Sequence, residues 1–586
     1  MHELIGEWSR KVLKRGEFCI FLLGVVISSD GPSVVNYGTD FITAFPENIA
    51  YYYPVSVYNS LKITALNDNT NVKVTFNGMN IQHITLHLGE IKLVDLPGEV
   101  EEYELGLSLK SVRITSNNNI TVFSISQRGD SVQTYVVQPV SNLGKTYMVP
   151  FLNYTELISM MNNYSTLNCT ASTNVTQTYN QFRLIIINAE AQDNSVIVSL
   201  PQSPGSTLHS QFTLGPFELM QTKNTESVLQ VNSSASMAIL LTHPCMDTKS
   251  CKCSMLVQQL QPTHLQQNSF LVPPCFTANN TRLILTSDQT VELKHGSPPL
   301  SGGIEILQPS SSTFLPFFPS LENRNSIITT SQPTSLSLIH PGVMMGIIPL
   351  SMFSACYLVH ITSYTRSEVL LIAETTQTQY VHWDQTLVSV TWSIMNDSNY
   401  SWARMSLYGA MSHIVWHPSS KIAVYIIQKM PSLATYGGPA ISINEKPDSN
   451  GCLVIPANVD IGNQAMSWQQ SCEYCIRKGS NLISPSSSVY QSLMAKMLTD
   501  VKAQGQAWIG LRRSLITMAW YWQSEDDFSF TNWDKDQPDI PEKGMCTSML
   551  MTPGSDYTWS SDPCCSTKLP VCYMPAQYIS IINPYA

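Results

Sequence analysis

The amino-acid sequence predicts a mostly β chain whose N-terminal region consists of several tandem β-sandwich-like units, and three observations support this prediction. Charged residues make up only 13% of the chain, so Ser, Thr, Asn and Gln carry the polarity, as is typical of extracellular β proteins. Apolar and polar residues alternate in Leu61–Leu66 and Val72–Phe76, on either side of an Asn-rich turn, which predicts a hairpin with one buried face. The length of 586 residues exceeds one hydrophobic core and suggests about three to five modules.

Similar strand pairs recur along residues 30–445, where the tandem β units are expected. The sequence also contains an internal similarity with an offset of roughly 120 residues, which matches a sandwich-sized repeat. It relates Val137–Val140 followed by Tyr147–Pro150 to Val257–Leu260 followed by Phe270–Pro273. The further predicted hairpins join Val112–Thr115 with Ile120–Ile125, Leu283–Leu285 with Val291–Leu293, and His413–Trp416 with Ile422–Ile427.

The start of the chain predicts entry into the secretory pathway. Lys11, Lys14 and Arg15 precede an apolar run, Phe18–Ile27, which is too short to span a bilayer. This pattern is typical of a signal peptide over residues 1–29, although an uncleaved anchor or an upstream start remains open. We therefore expect a secreted, extracellular glycoprotein without a transmembrane anchor. Its predicted N-glycosylation sites are Asn119, Asn153, Asn163, Asn168, Asn174, Asn232, Asn279, Asn396 and Asn399.

Composition and motifs argue against two functional classes. The net charge of −10 disfavours nucleic-acid binding. The sequence contains no Gly-x-Ser-x-Gly, no His-Glu-x-x-His and no phosphate-binding glycine loop that ends in Lys. His413 and His417 are expected to be satisfied structural histidines. We therefore predict that the protein is not an enzyme.

The last quarter of the chain has a characteristic order of tryptophans and cysteines. Trp468 and Cys472 are four residues apart, so they share a helical face. Next come Trp508–Leu511, Trp520–Trp522, Thr531–Trp533 and Gln537–Asp539, and then Cys546, Cys564, Cys565 and Cys572. Residues 451–575 thus resemble a C-type lectin-like domain. The resemblance implies an α+β fold, a disulfide between Cys472 and Cys572, and a second one between Cys546 and either Cys565 or Cys564.

The same resemblance implies a calcium and sugar site, with tentative ligands Gln537, Asp539, Glu542 and Asp562. Gly544 stands where this family usually has Glu, and Ser561 stands where Asn is expected if Cys565 is the inner cysteine. Calcium needs about six to eight oxygens, so calcium as a cofactor is an open expectation. If the site binds sugar, its Gln-Pro-Asp sequence resembles that of family members selective for galactose or N-acetylgalactosamine. Tyr557 or Trp559 would then supply the ring that stacks on the sugar.

The N-terminal region contains a second family resemblance. Gly38–Asn48, Val137–Val140 and Leu143–Tyr147 resemble parts of the N-terminal domain of the IgGFc-binding protein family, which consists of secreted mucosal glycoproteins. The chain departs from the mucin-like relatives because it lacks their cysteine-rich von Willebrand repeats. No motif for immunoglobulin binding is identifiable, so that activity is not carried over.

Two functions remain open at the sequence level. The first is recognition of glycans, or of cell-surface or mucosal glycoproteins and other protein ligands, through the lectin-like domain. The alternative is a structural mucus or matrix glycoprotein whose lectin-like fold binds no sugar. The lectin-like region holds an odd number of cysteines, and we expect Cys452 to bridge two chains in a disulfide-linked homodimer.

Overall fold

In the computed structural model, most of the described chain is β structure. The structure describes residues 34–49, 56–154, 157, 181–201, 207–224, 228–248, 252–276, 281–295, 304–307, 312–316, 327–362, 366–395, 398–430, 435–552 and 554–582. Within these ranges, no helix is both long and apolar enough to cross a membrane. The predicted signal segment 1–29 and the sequons at Asn163, Asn168, Asn174, Asn279 and Asn396 lie outside the described residues.

The first module places its longest strand in the middle of its sheet. Its strands are β1 Tyr37–Thr43, β2 Phe45–Pro46, β3 Tyr58–Ala65, β4 Thr70–Phe76, β5 Met79–Leu86, β6 Ile91–Leu96, β7 Glu101–Glu102, β8 Gly106–Ser108, β9 Val112–Arg128 and β10 Ser131–Val137. The sheet order is β5-β4-β9-β3-β6, and β1 and β10 also pair with β9. Strand β9 pairs with β4 through its first part and with β3 through its last part. It therefore runs through both halves of the module, as a strand does when it passes between the two sheets of a sandwich.

The next two modules repeat this topology. The second contains β11 Gly144–Val149, β12 Phe182–Asn188, β13 Asn194–Pro201, β14 Thr207–Leu214, β15 Leu219–Asn224, β16 Leu229–Thr248 and β17 Lys252–Gln259. The third contains β18 Gln267–Leu271, β19 Arg282–Thr286, β20 Val291–His295, β21 Ile304–Leu307, β22 Ser312–Pro316, β23 Ile327–His340 and β24 Val343–Gly346. Their orders, β14-β13-β16-β12-β15 and β21-β20-β23-β19-β22, match the first module, and β8 is added at the β15 edge. The internal repeat predicted from the sequence is thereby confirmed.

The connection between successive modules is also repeated. After β10, β17 and β24, the chain passes through Pro139, Pro262 and Pro349, and each proline precedes a short 3₁₀ helix. Proline suits the start of a helical turn because its φ is already fixed and no N–H is needed there. These helices are Val140–Asn142, Thr263–Leu265 and Leu350–Met352.

The predicted hairpins locate strands correctly but assign their partners wrongly. Leu61–Leu66 and Val72–Phe76 fall on β3 and β4, which are separated by β9. Val112–Thr115 and Ile120–Ile125 belong to the single strand β9. Similarly, β19 and β20 are separated by β23. A period of two indicates which side chains are buried, but it does not identify the neighbouring strand.

The fourth module consists of two five-stranded sheets, with orders β28-β27-β31-β25-β34 and β29-β30-β26-β32-β33. Its strands are β25 Cys356–His360, β26 Arg366–Glu374, β27 His382–Trp383, β28 Thr386–Leu387, β29 Trp392–Ile394, β30 Tyr400–Tyr408, β31 Ser412–Trp416, β32 Ala423–Lys429, β33 Thr435–Pro439 and β34 Ile441–Asn444. The predicted hairpin of His413–Trp416 with Ile422–Ile427 is also wrong, because β31 and β32 lie in different sheets.

The four modules form a closed ring. Strands β10, β17, β24 and β33 contact each other in cyclic order around one axis. Hydrogen bonds join three of these strands near Ser131, the first residue of β10: Met255 N of β17 donates to Ser131 Oγ at 2.9 Å, and Gln133 Nε2 of β10 donates to the carbonyl of Gly342, just before β24, at 2.7 Å. We call this region the narrow end of the ring.

The first and fourth modules are joined by polar contacts that close the ring. The Asn36 backbone N–H donates to the Ser442 carbonyl at 2.8 Å, and Ser442 N donates to Asn36 Oδ1 at 2.7 Å. Lys62 Nζ donates to Ser412 Oγ at 2.9 Å, and Ser412 Oγ lies 2.8 Å from His360 Nδ1. Burial lowers the pKa of Lys62 to about 8. Burial and the nearby Lys62 lower the pKa of His360 well below its usual value.

The C-terminal domain is α+β, as the resemblance implied. Its elements are β35 Leu453–Ile455, β36 Asn458–Ile461, α1 Trp468–Arg477, β37 Asn481–Leu482, α2 Ser488–Asp500, β38 Gln506–Arg513, β39 Trp520–Trp522, β40 Cys546–Leu550, β41 Trp559–Asp562, β42 Leu569–Met574 and β43 Gln577–Tyr578. Helix α1 begins with a capping box formed by Ser467 and Gln470. The main sheet has the order β36-β42-β38-β40-β41.

The C-terminal domain is attached to the ring by covalent and backbone contacts. A disulfide joins Cys356 of β25 to Cys452. Near the end of the chain, Ile582 N donates to the Gly89 carbonyl of the first module at 3.2 Å. The contact at Gly89 is close, because a Cβ there would lie 2.0 Å from the Ser580 carbonyl oxygen.

The disulfides correct two expectations and decide a third. Cys572 pairs with Cys475 and not with Cys472. Of the two expected candidates for the partner of Cys546, Cys564 forms the bridge. Cys452 is bonded within the chain, so it cannot form the predicted bridge to a second copy. Of the described cysteines, Cys275 and Cys472 are free and buried, and Cys565 is free and exposed.

Helix geometry explains why the Cys472 prediction was wrong. Trp468 and Cys472 do share a face, but this face points to β38 and β39: Trp468 Nε1 donates to the Ile509 carbonyl at 2.8 Å, and Cys472 Sγ donates to Gln523 Oε1 at 3.1 Å. Cys475 lies on the side of the helix that faces β42, where Cys572 is located. Burial raises the pKa of the Cys472 thiol to about 12.

Candidate ligand-binding face of the C-terminal domain

The expected calcium loop lies between β39 and β40 and is held against strand β41. The Gln537–Pro538 peptide bond is cis. Gln537 Oε1 accepts hydrogen bonds from the Ser561 backbone N–H at 2.8 Å and from the Ser561 hydroxyl at 2.9 Å. The same hydroxyl accepts one from Asp539 N at 2.8 Å. Ser561 thus fixes both arms of the loop and engages the side-chain oxygen that was expected to bind a metal.

Asp539 interacts with cations of the protein itself. Its Oδ1 lies 3.6 Å from Lys543 Nζ and accepts a hydrogen bond from Ile540 N at 3.1 Å. Its backbone carbonyl accepts from the Arg513 guanidinium at 2.7 Å. The Lys543 contact is partly exposed and therefore weak, but it places an ammonium group beside the carboxylate.

Asp562 points away from Gln537 and Asp539. It follows Ser561 on β41, and successive side chains of a strand lie on opposite faces. Its Oδ2 accepts from the Ser548 hydroxyl at 2.5 Å and lies 3.3 Å from Lys568 Nζ. Asp562 is therefore part of a different local network.

The position where sugar-binding members usually carry Glu has no room for a side chain. Gly544 is buried, and a Cβ there would lie 2.6 Å from the Ser561 carbonyl carbon and 2.7 Å from Asp562 N. The displaced Glu542 is exposed. Glycine is therefore required at 544 for the loop to pack against β41.

These contacts do not fit a calcium site. Gln537 and the Asp539 backbone meet at Ser561, but Asp562 lies in a separate network with Ser548 and Lys568 and Glu542 is exposed, so the four expected ligands do not converge as predicted. No cluster of three or more His, Cys, Asp or Glu residues that could hold a metal occurs in the described part of the chain. Calcium requires about six to eight oxygens, whereas the oxygens here are engaged by Ser561, Ser548 and two lysines.

The aromatic side chains near the loop also differ from expectation. Tyr557 and Trp559 are buried, so neither can stack on a ligand. Trp520 and Trp533 are instead half-buried, and their ring centroids lie 4.9 Å apart. The Arg513 guanidinium lies 4.5 Å from the centroid of the Trp520 ring. Sequence reasoning missed this set, although a Trp spaced two residues from the core residue Trp522 is a signal for it.

A preformed apolar tip lies next to this loop. The turn 514–519 joins β38 to β39, and Ser514 Oγ accepts hydrogen bonds from Ile516 N at 3.3 Å and Thr517 N at 3.2 Å. Leu515 is 71% exposed and Ile516 is 94% exposed. Arg513, which immediately precedes the turn, donates to Asp539, so the two loops are adjacent. We define the loop face as Leu515, Ile516, Met518, Trp520, Asp539, Ile540 and Lys543.

His413 and His417 of the fourth module are satisfied structurally, as expected. His417 Nδ1 accepts from Ser420 N at 2.8 Å, and its Nε2 lies 3.0 Å from the Gln377 carbonyl. His413 Nδ1 lies 2.7 Å from Asp384 Oδ2.

The four described sequons differ in accessibility. Asn153 and Asn399 are exposed, whereas Asn119 on β9 and Asn232 on β16 are half-buried.

Comparison with known proteins gives two family matches. The model described as IgGFc binding protein matches residues 133–427, half of the chain, and the lectin C-type domain model matches residues 464–574. Human IgGFc-binding protein is 24% identical over 310 residues, covering 50% of this chain and 5% of that protein.

Two relatives match the C-terminal domain. The type-2 ice-structuring protein of Osmerus mordax is 26% identical over 119 residues, covering 20% of this chain and 66% of that protein. A C-type lectin galactose-binding isoform of Pseudechis australis is 28% identical over 114 residues, covering 19% of this chain and 72% of that protein. This chain thus spans just under two thirds of the ice-structuring protein and a small part of human IgGFc-binding protein.

Proposed function

The chain belongs to the IgGFc-binding protein family and carries a C-type lectin domain, so we propose that it is a secreted recognition glycoprotein that binds protein ligands through the loop face without calcium. Extracellular location is supported by the three described disulfides, which persist in oxidising compartments. The exposed sequons Asn153 and Asn399 are consistent with glycosylation.

One observation carries the calcium-independent part of the proposal. Ser561 satisfies Gln537, and the lysine ammonium groups lie beside the two aspartates. A loop whose polar groups are already paired needs no metal to order it. A calcium ion would have to break these contacts and compete with two positive charges.

The composition of the loop face favours a protein ligand over a free sugar. Leu515, Ile516 and Met518 expose apolar side chains beside a half-buried Trp that is stacked by an Arg. Aromatic residues, Met and Arg are enriched in protein interfaces, and large exposed apolar patches mark interaction sites. The Gln-Pro-Asp sequence is shared with galactose-type lectins, but its side chains are engaged within the protein. A glycan would therefore be a minor part of the ligand surface.

A binding experiment with two matched variants tests the proposal. The secreted chain is applied to an array of mucosal glycoproteins, their deglycosylated forms and free glycans, in calcium and in EDTA. We expect binding to glycoproteins that survives both EDTA and deglycosylation. Ile516→Asp should weaken it at least tenfold, about 1.4 kcal/mol, because a charge then faces an apolar partner. Val489→Asp is the control, because Val489 is 75% exposed on helix α2 of the same domain.

The controls separate the alternatives. Loss of binding in EDTA would contradict calcium independence. Equal losses in both variants would show that the loop face is not the binding surface. Binding to free glycans alone would replace the protein ligand with a sugar.

A further inference from the structure

A partly open cavity lies at the C-terminal ends of the four strands β10, β17, β24 and β33. Gln138, Gln259, Gly346 and Pro439, which lie at or just after the last residues of these strands, line this cavity of about 160 Å³. All four modules contribute to its wall. The cavity is therefore a product of ring closure and does not belong to any single module.

The wall of the cavity is polar but uncharged. None of the lining residues found in the described part of the chain is Asp, Glu, Lys, Arg or His. Burial raises the pKa of the lining residue Tyr135 to about 12, so its phenol is neutral. A charged ligand would lose its hydration here without a charged partner, at a large cost. This wall selects neutral ligands.

Primary amides supply the hydrogen-bonding groups. Asn36 Nδ2 donates to Gln138 Oε1 at 3.0 Å, and the Gln138 backbone N–H donates to Gln259 Oε1 at 3.0 Å, so Asn36 and Gln138 of the first module are linked to Gln259 of the second. Gln258 Nε2 donates to Ser337 Oγ at 2.9 Å on the third module. An amide offers both donors and acceptors, which suits hydroxyl groups. The full set of amide side chains is Asn36, Gln138, Gln258, Gln259, Gln261 and Gln428.

Apolar side chains complete the wall and limit what fits. Met148, Met344, Met345, Ile347 and Phe123 line the cavity together with the amides. Methionines fill irregular space and adapt to a ligand. A cavity of about 150 Å³ accommodates a single benzene ring, so the present one is sized for one ring.

From this combination of size, neutrality, amides and apolar side chains, we infer that the ring cavity is a binding site for one uncharged monosaccharide unit, of the hexose or N-acetylhexosamine class. The hydroxyl or acetamido groups of the sugar exchange hydrogen bonds with the amides, and its C–H face packs on the methionines and Phe123. This site is separate from the loop face and does not depend on the function proposed for that face.

Filling the cavity provides the test. Gly438 lines it, has no left-handed backbone conformation, and a Cβ there would meet only Met345 Cβ at an ordinary 3.8 Å. Gly438→Leu therefore places a side chain in the cavity without backbone strain. Gly346→Val, whose Cβ would lie 3.4 Å from Gln258 Nε2, is the second variant should the first not fold. Gly98→Leu is the matched control, because nothing lies within 4 Å of a Cβ at that exposed position.

The probes are N-acetyl-D-glucosamine, D-galactose and, as a charged counterpart, D-glucuronate, titrated calorimetrically into the full chain in EDTA. We expect at least one neutral sugar to bind to the wild type, to Gly98→Leu and to Ile516→Asp, and to bind at least tenfold more weakly to a folded cavity variant. Glucuronate should not bind. Absence of binding by both neutral sugars, equal binding by the cavity variants, or binding of glucuronate at the cavity would overturn the inference. A loss caused by Ile516→Asp alone would assign the sugar to the loop face.

Discussion

Replacing Gly342 with valine is expected to lower the free energy of unfolding of the ring by about 2 to 6 kcal/mol, the sum of backbone strain and overpacking. Gly342 has a φ of +80°, and a Cβ there would lie 2.2 Å from the Thr435 carbonyl oxygen of the fourth module. Its own carbonyl accepts the hydrogen bond from Gln133 of the first module. The residue therefore lies where three modules meet at the narrow end.

Gly78 provides a matched control for this substitution. Its φ is +72°, but nothing lies within 4 Å of a Cβ built there. Gly78→Val carries the backbone strain alone, about 1 to 3 kcal/mol. Both variants would be compared with the wild type by chemical denaturation of the full chain. If Gly342→Val is no more destabilising than Gly78→Val, the modules do not pack around this axis.

Removing the Cys475–Cys572 disulfide has the second large expected effect. The bridge closes a sequence separation of 97 residues, and a loop of about 100 residues corresponds to roughly 4.7 kcal/mol in the chain-entropy model. Cys475→Ser should therefore lower the stability of the C-terminal domain by about 4 to 5 kcal/mol. Differential scanning calorimetry of the full chain would show this as an earlier transition of that domain.

Cys472→Ser is the control, because it lies on the same helix and forms no disulfide. Its hydroxyl can keep the hydrogen bond to Gln523, so the expected loss is about 1 kcal/mol. Peptide mapping under non-reducing conditions identifies the pairing directly. A Cys472–Cys572 peptide, together with the larger loss in Cys472→Ser, would contradict the structure.

The sequence predicts the strands of the ring better than their arrangement. The alternation in Leu61–Leu66 and Val72–Phe76 reports burial of one face, and both segments are strands. Their separation by β9 depends on a segment about 40 residues downstream, which local periodicity cannot report. In β9 itself, polar residues from Ser116 to Asn119 look like a turn, but they lie where the strand changes partner from β4 to β3.

The sequence predicts only part of the candidate site, again because a local sequence pattern does not identify tertiary neighbours. Motif order located the Gln537–Asp539 loop, but the role of Asp562 depended on which of two adjacent cysteines is the inner one. The bridge is formed by Cys564. Ser561 and Asp562 are successive residues of β41 and point to opposite faces of the sheet, so Ser561 faces the loop and Asp562 does not. The partners Arg513, Lys543 and Lys568 are brought in by tertiary structure, and their spacing in the sequence carries no signal of these contacts.

The most direct test of calcium-independent recognition is the melting temperature of the C-terminal domain in the full chain, measured by calorimetry in millimolar calcium and in EDTA. A ligand that binds only the native state stabilises it by about 2.7 kcal/mol at 100 times its Kd. We predict the same melting temperature in both conditions, because Ser561 and the lysines already satisfy the loop. A higher melting temperature in calcium, abolished by Asp539→Asn, would show that the loop binds the metal and would contradict calcium-independent recognition.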